Sequence, residues 1–246
     1  MRALAAALLV GLVTVPALAG QAEADFTWKP KVGQVRKYKL NVAMNTEIGG
    51  QALDIKVSMV NVGKVTKIDG EKLTLEAHVE DFKLNFNGNE TEPPTDGANN
   101  PAAVKAIIVQ NLKTGETISR ETEGGESPVQ QSQRVENISV FWRPTGKVKV
   151  GESWTKELKK DDKKQTPAAL SKYTVVGEEE AEGHKCWKVT FAFSEIGIDK
   201  PFGATGTYWI DQAEGSPVRM TADYENVQFN EMMPPTNAKV SMVLLP

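Results

Sequence analysis

Apolar and polar residues alternate along most of this chain, which is the pattern of half-buried β-strands. Apolar side chains occupy every second position from 38 to 44 and again from 53 to 59. Gly49 and Gly50 lie between these two runs, and glycine accepts a positive φ without steric cost, so a hairpin turn is predicted there. Asp69-Gly70 predicts a second hairpin turn before the next apolar run.

The apolar phase of that next run changes at Glu80-Asp81. One extra residue in a strand exchanges its two faces, so we predict a β-bulge at this point. Residues 87–100 are polar and rich in Pro and Gly, which predicts a loop. Thr114-Gly115 then separates two short runs and predicts a further hairpin.

The best helix signal lies at 128–141. Ser127 can cap this helix, Pro128 suits its first position, and Pro144 lies beyond its end. One face of the helix carries Val129, Val135, Ile138 and Trp142. That face is expected to pack against the sheet.

Residues 206–229 show the clearest hairpin pattern, with a turn at Glu214-Gly215. Because side chains alternate between the faces of a strand, Trp209 is expected on the face opposite to the main apolar residues. The main face would carry Tyr208, Ile210, Val218, Met220, Ala222 and Tyr224.

Residues 31–40 and 149–158 are similar in sequence, and each begins a series of alternating strands. We interpret this repeat as two related meanders in one sheet. The predicted fold is mainly β: a long curved antiparallel sheet, a half-barrel, with one principal helix packed against it. Residues 20–246 would form a single domain. Its first meander would span 26–87, its loop, hairpin and helix 88–145, and its second meander 146–246.

Three stretches of the second meander carry a resemblance to known proteins: "VKVGESW", "YTVVGEEEAEGHKCWKV" and "ATGTYWIDQAEGSPVRM". They resemble the framework of secreted bacterial proteins of unassigned function, and they are similar to the half-barrel superfamily of outer-membrane lipoprotein carriers of the LolA/LolB type. The resemblance covers 148–229. It implies an antiparallel, incompletely closed barrel with helix over its mouth and a hydrophobic cavity for acyl chains. The N-terminal meander is an addition to that pattern.

The N-terminus has the order of a secretory signal peptide at 1–19: a basic start, an apolar run from 3 to 15, and Ala17-Leu18-Ala19 as the cleavage site. Ala22-Glu23-Ala24 is a second possible site. No cysteine stands at either site to take a lipid, so a periplasmic or extracellular protein is expected. The formal net charge of −3 argues against a nucleic-acid partner.

Few residues suggest chemistry. His184 and Cys186 could begin a metal site, but Cys186 is the only cysteine, and we favour structural roles for both. The carboxylates at 161–162 and 178–180 lie in charge-rich turns and are expected to be solvated. The lysines at 156–164 suggest at most a peripheral membrane contact. We therefore predict no catalytic residue, no metal and no cofactor, and a protein that is not an enzyme.

The strongest functional signal is an apolar stripe that could line a cavity for a lipid or other hydrophobic ligand. Its candidate lining residues are Trp187, Val189, Phe191, Phe193, Tyr208, Met220 and Tyr224. The alternative is an ordinary core filled by these side chains, in which case the protein would be a structural or protein-interaction module. The sequence names neither a ligand nor a protein partner.

Overall fold

The computed structural model describes residues 22–91, 104–123, 133–163, 165–228 and 234–246. In these ranges the chain forms short and long β-strands and one helix, α1 (Gln133–Ser139). The strands are β1 (Glu23–Ala24), β2 (Val35–Ile48), β3 (Gln51–Asp69), β4 (Lys72–Phe86), β5 (Asn89–Thr91), β6 (Lys105–Asn111), β7 (Thr117–Glu123), β8 (Val148–Lys149), β9 (Ser153–Leu158), β10 (Ala168–Ala181), β11 (His184–Ile196), β12 (Gly203–Asp211), β13 (Pro217–Val227) and β14 (Thr236–Leu244).

One antiparallel sheet contains nearly all of these strands. Its order is β7-β6-β4-β3-β2-β14-β13-β12-β11-β10-β9, and β5 pairs with β4 outside this path. The two meanders therefore join through β14, whose residues pair with β2 from Asn237 opposite Asn45 to Leu244 opposite Tyr38. The sheet is open and curved, as predicted, and β1 and β8 form a separate two-stranded pair.

Turn chemistry explains the hairpins of the first meander. Gly49 and Gly50 connect β2 to β3 with φ values of 61° and 80°, and Gly70 connects β3 to β4 with φ of 59°. The bulge predicted near Glu80-Asp81 is confirmed. The β3–β4 register shifts between Ser58 and Val60, and Asp81 has φ of 48°.

Two predicted elements differ from the structure. The predicted loop at 87–100 begins instead with a tight turn at Asn87-Gly88, whose φ values are 51° and 87°, and β5 follows it. Residues 92–100 lie outside the described ranges. The predicted start of the helix at Ser127 and Pro128 also lies outside them. α1 ends at Ser139 rather than at 141, and the hydroxyls of Tyr208 and Tyr173 donate to the carbonyls of Ser139 and Val140.

Val218 was predicted on the main apolar face, and this placement is wrong. The β12–β13 register shifts between Trp209 and Ile210, so that Trp209 pairs with Arg219 and Ile210 with Pro217. Val218 is the extra residue of this bulge. It packs with Trp209 and Cys186 in a small cluster apart from the main core.

The main core lies between α1 and the second meander. We call the face of the sheet that packs against α1 the inner face. Val135 and Ile138 of α1 are 1% exposed, and Phe141 and Trp142 continue this packing after the helix ends. Residues 133–142 thus form a cover over the inner face. In the part of the chain that the structure describes, no helix is long and apolar enough to cross a membrane.

Candidate functional site

The structure brings together the whole stripe of candidate lining residues from the sequence. Trp187, Val189, Phe191, Phe193, Tyr208, Met220 and Tyr224 belong to one core cluster, and none is more than 7% exposed. They lie on neighbouring strands in register, with Val189 opposite Tyr208 and Tyr208 opposite Met220. The prediction that they share one face is confirmed. Their contact with a ligand stays a prediction.

Aromatic rings fill the space beneath the cover. The ring of Phe191 lies 5.0 Å from that of Tyr208 and 6.1 Å from that of Tyr173, measured between centroids. Phe141 of the cover contacts Tyr208 at 5.3 Å and Tyr173 at 5.5 Å. These distances are those of direct ring contact, so the inner face of the second meander is packed with side chains at this point.

The hydroxyl groups of three buried tyrosines bond to the end of α1. Tyr173 donates to the carbonyl of Val140 at 2.9 Å, and Tyr208 donates to that of Ser139 at 3.1 Å. The Ser139 and Tyr224 hydroxyls are 3.1 Å apart. Burial raises the pKa of Tyr224 to about 12, and burial also raises the pKa of Tyr173 and Tyr208. The hydroxyls therefore stay protonated and hold the cover in place.

An ion pair holds the start of α1. Arg134 donates to both carboxylate oxygens of Glu195, at 2.7 Å and 2.5 Å, and its guanidinium lies 3.4 Å from the ring centroid of Phe202. The backbone N–H of Phe202 donates to the same carboxylate at 2.7 Å. Both ends of the described helix are thereby bonded to the second meander. This ion pair could not be predicted from the sequence, because no local pattern connects residues 134 and 195.

Apolar side chains continue on the inner face of the first meander, beyond the cover. There they are only half-buried, and Phe86 is 37% exposed. We call this set the apolar patch: Leu40, Leu53, Val57, Leu84, Phe86 and Met242. The alternation of apolar residues in β2, β3 and β4 predicted that they share a face, but their exposure depends on where the cover ends.

A groove of about 920 Å³ lies on the opposite face of the sheet. Its walls carry hydroxyl and amide groups in register across neighbouring strands: Thr190, Thr207, Thr221, Ser241, Asn41 and Ser58. The lysines of the groove have partners. Lys239 pairs with Asp223 at 3.0 Å, and Lys83 pairs with Glu90 at 3.0 Å. The charges of these two lysines are therefore compensated.

His184 and Cys186 have structural partners. His184 Nδ1 bonds to a carboxylate oxygen of Asp211, whose other oxygen accepts from the backbone N–H groups of Ala213 and Glu214 in the β12–β13 turn. Cys186 Sγ donates to the carbonyl of His184 at 3.4 Å. Burial raises the pKa of the Cys186 thiol to about 11, which makes it a weak nucleophile. Within the described residues no group of three or more His, Cys, Asp or Glu could hold a metal ion.

Among the acidic runs, Glu179 has a specific contact. It accepts from Lys188 at 2.7 Å and from the indole N–H of Trp209 at 3.0 Å, and these bonds lower its pKa. Glu178, Glu180 and Asp162 are exposed, as expected for solvated carboxylates.

Comparison with known proteins yields matches among solved structures only. No protein-family model matches the chain, and no curated protein does. The chain is similar to a hypothetical lipoprotein, YmcC, from Escherichia coli (K12), with 14% identity and a TM-score of 0.34 over 88% of this chain and 89% of that chain. It is also similar to a DUF1329 family protein from Desulfovibrio piger, with 12% identity and a TM-score of 0.27 over 85% and 84% of the two chains. Neither similarity supplies an argument about a family, a ligand, a partner or an activity.

Proposed function

We propose that this chain is a non-enzymatic protein of the cell envelope that binds an apolar or lipid-like ligand on the inner face of its half-barrel. The apolar patch carries this proposal. Its side chains extend the core past the end of the cover, and water contacts them there. A partly exposed apolar surface costs free energy in water and is typical of a binding site, because a ligand removes it from water.

The ligand of this proposal lies over the apolar patch, with the packed second meander beside it. Val57 and Leu84 are opposite each other in register, and Phe86 is opposite the buried Ile55, so the patch extends from β3 to β4 on one face. Flexible acyl chains fit such a surface because they need no directional partner. Contact between the ligand and Phe191 or Tyr208 would require the cover to move.

Two further observations support the non-enzymatic and envelope parts of the proposal. The Cys186 thiol is kept protonated by burial, and the acidic residues at 178–180 are solvated or ion-paired rather than desolvated as general acids usually are. The order of residues at 1–19 is that of a cleavable signal peptide.

The ligand can be tested by placing a charge in the apolar patch. Leu84→Glu should weaken binding of a fluorescent acyl-chain probe by about tenfold or more, because a carboxylate beside an alkyl chain must be desolvated. Val176→Glu is the matched control, since Val176 is 50% exposed on β10 and lies outside the patch. Equal probe binding by the two variants, with both folded by circular dichroism, would contradict the proposal.

The secretion step has its own test. Protein recovered from the periplasm or medium should begin at Gly20 and carry no lipid, as measured by intact mass spectrometry. A membrane-bound chain that keeps residues 1–19 would contradict this part of the proposal. It would not affect the proposal that the apolar patch binds a ligand.

The second candidate is a structural or protein-interaction module. The ring contacts of Phe191, Tyr173 and Tyr208 favour it, because they fill the space that a cavity would occupy. In that case the wild-type protein binds no acyl probe and no lipid co-purifies with it. Native mass spectrometry of protein taken from its own envelope separates the two candidates.

A further inference from the structure

Three buried N–H donors without hydrogen-bond partners lie around the N-terminal segment of the described chain. They are Trp28 Nε1, Arg36 Nε and Arg143 Nε. Buried polar groups in proteins are nearly always bonded, and each exception needs an explanation. Gln212 Nε2 and the Ser216 hydroxyl, in the β12–β13 turn, are also buried without a partner. Of these five groups only the Ser216 hydroxyl can accept, so the explanation should supply further acceptors.

These donors belong to one cluster. The guanidinium carbon of Arg143 lies 5.1 Å from the ring centroid of Trp28. The Tyr38 hydroxyl accepts from Arg36 Nη1 at 3.1 Å and donates to the carbonyl of Pro217 at 3.0 Å. The segments of Trp28 and Arg36 meet at the β12–β13 turn, where the backbone N–H of Lys29 donates to the carbonyl of Glu214 at 2.9 Å and Arg36 pairs with the Glu214 carboxylate. We call Trp28, Arg36, Tyr38 and Arg143 the donor cluster.

The backbone next to Arg143 leaves room for its side chain at Gly115. Gly115 has φ of 82°, and a Cβ atom at this position would lie 2.9 Å from Arg143 Nη1 and 2.9 Å from the carbonyl oxygen of Phe141. The backbone N–H of Arg143 donates to the carbonyl of Thr114 at 3.2 Å. The β6–β7 turn therefore holds the guanidinium from one side, and Trp28 covers it from another.

The charge of the cluster is not balanced. Arg36 forms an ion pair with Glu214, and that carboxylate also accepts from Gln34. Arg143 has no carboxylate partner among the described residues. Its contacts are the rings of Trp28 and Phe141, and burial lowers its pKa to about 10. Arg143 is half-buried, and a partly desolvated cation without a counter-ion is stabilised when an anion binds it.

We propose that the donor cluster is a binding site for one oxyanion group, a carboxylate or a phosphate. A guanidinium presents N–H donors in a planar fork that matches the oxygens of such a group, and the Trp28 indole N–H adds a neutral donor. Arg143 supplies the uncompensated charge, and Arg36 contributes a donor while its charge stays paired with Glu214. This site is separate from the proposed ligand surface of the apolar patch and does not depend on it.

The oxyanion can be a free ion or the head group of an amphiphile. Tyr38 and Leu40 are alternate residues of β2, so the donor cluster borders the apolar patch along one strand. Arg143 would form the same ion pair with a free oxyanion and with the head group of an amphiphile. Titration with inorganic phosphate and acetate, and separately with a short-chain phosphatidic acid below its micelle concentration, distinguishes them.

The test follows the indole N–H signals of the five tryptophans by NMR while each anion is added to the full mature chain. The Trp28 signal, assigned with Trp28→Phe, is expected to shift in a saturable way, and the melting temperature is expected to rise. Arg143→Gln should reduce the apparent affinity by about tenfold or more, since it removes a charge-assisted bond. Arg120→Gln is the control, because Arg120 is 45% exposed, is not a member of the donor cluster and pairs with Glu136 of α1.

A response to inorganic phosphate or acetate identifies a free-oxyanion site, and a response to phosphatidic acid alone identifies an amphiphile head group. Both results support the proposal. It is overturned if the wild-type Trp28 signal moves with none of these anions, a result that needs no variant to fold. It is also overturned if folded Arg143→Gln responds as the wild type does. The response to inorganic phosphate or acetate involves no acyl chain, so loss of acyl-probe binding in Leu84→Glu leaves that arm of the test unaffected.

Discussion

The hydroxyl of Tyr208 donates a hydrogen bond to the backbone carbonyl of Ser139, 3.1 Å away. Ser139 is the last residue of α1, and the last carbonyls of a helix have no partner within it. Tyr208 is 1% exposed at the centre of the inner face. One side chain of the sheet thus completes the hydrogen bonding of the helix end and fixes the position of the cover.

Tyr208→Phe is expected to lower the free energy of unfolding by about 1–3 kcal/mol, because it leaves the Ser139 carbonyl without its partner. The measurement is a chemical denaturation curve. Thr207→Val is the matched control: it removes a hydroxyl from the adjacent residue, which is half-exposed on the opposite face of the sheet. Equal losses in the two variants would show that the bond to α1 contributes nothing.

Phe191→Ala should cost about 3–5 kcal/mol of stability, since Phe191 is 4% exposed and its removal leaves a void among packed rings. Thr190→Ala, on the exposed face of the same strand, is the control. Denaturant melts and acyl-probe titrations are made on the same samples. A small loss of stability together with a large change in probe affinity would instead place the ligand against Phe191 and its neighbours.

Removing only the cation of the ion pair at the start of α1 should lower the free energy of unfolding more than removing both charges. Arg134→Met leaves the carboxylate of Glu195, only 2% exposed, without its counter-charge, and we expect a loss of about 3–5 kcal/mol. Adding Glu195→Gln should restore most of that stability, because no buried charge remains. Lys239→Met removes an ion pair with Asp223 whose two side chains are 82% and 65% exposed, and should cost about 0–1 kcal/mol. A double variant no more stable than Arg134→Met would refute the explanation.

Alkaline pH should destabilise the cover. The pKa of Tyr224 is raised by burial from 10.0 to about 12, so its protonated form favours the folded state. This contribution is fully present below pH 10.0, the unfolded value, and is lost as pH rises to about 12. Burial shifts Tyr173 and Tyr208 in the same direction. Phenolate absorbance and near-ultraviolet circular dichroism should change together, and phenolate formation by these tyrosines with intact packing would contradict this assignment.

Cys186→Ser should leave metal content and acyl-probe binding unchanged, because Cys186 packs with Ala181, Trp209 and Val218 away from the inner face. In the wild type the thiol should react slowly with an alkylating reagent at neutral pH, since its pKa is about 11 and the side chain is buried. Unfolding should restore the reaction rate of an ordinary thiol. Stoichiometric zinc that is lost in the serine variant would overturn the structural role of Cys186.

The strand pattern and its turns could be read from the sequence because they are local. Alternation in β2 and β3, the glycines at 49 and 50, and the phase change at Glu80-Asp81 each depend on neighbouring residues alone. The shared face of the candidate stripe followed in the same way. The bulge at Val218 could not be predicted from the sequence. A residue of β13 is extra only relative to β12, the strand with which it pairs.

Tertiary structure decided everything that depends on distant segments. The carbonyl of Ser139 meets Tyr208, Arg134 meets Glu195, and Trp28 meets Arg143, although no local pattern connects the members of these pairs. The sequence predicted an apolar inner face but left open whether it was filled or hollow. That outcome depends on where the cover lies: it packs the second meander with rings and leaves the apolar patch of the first meander half-exposed.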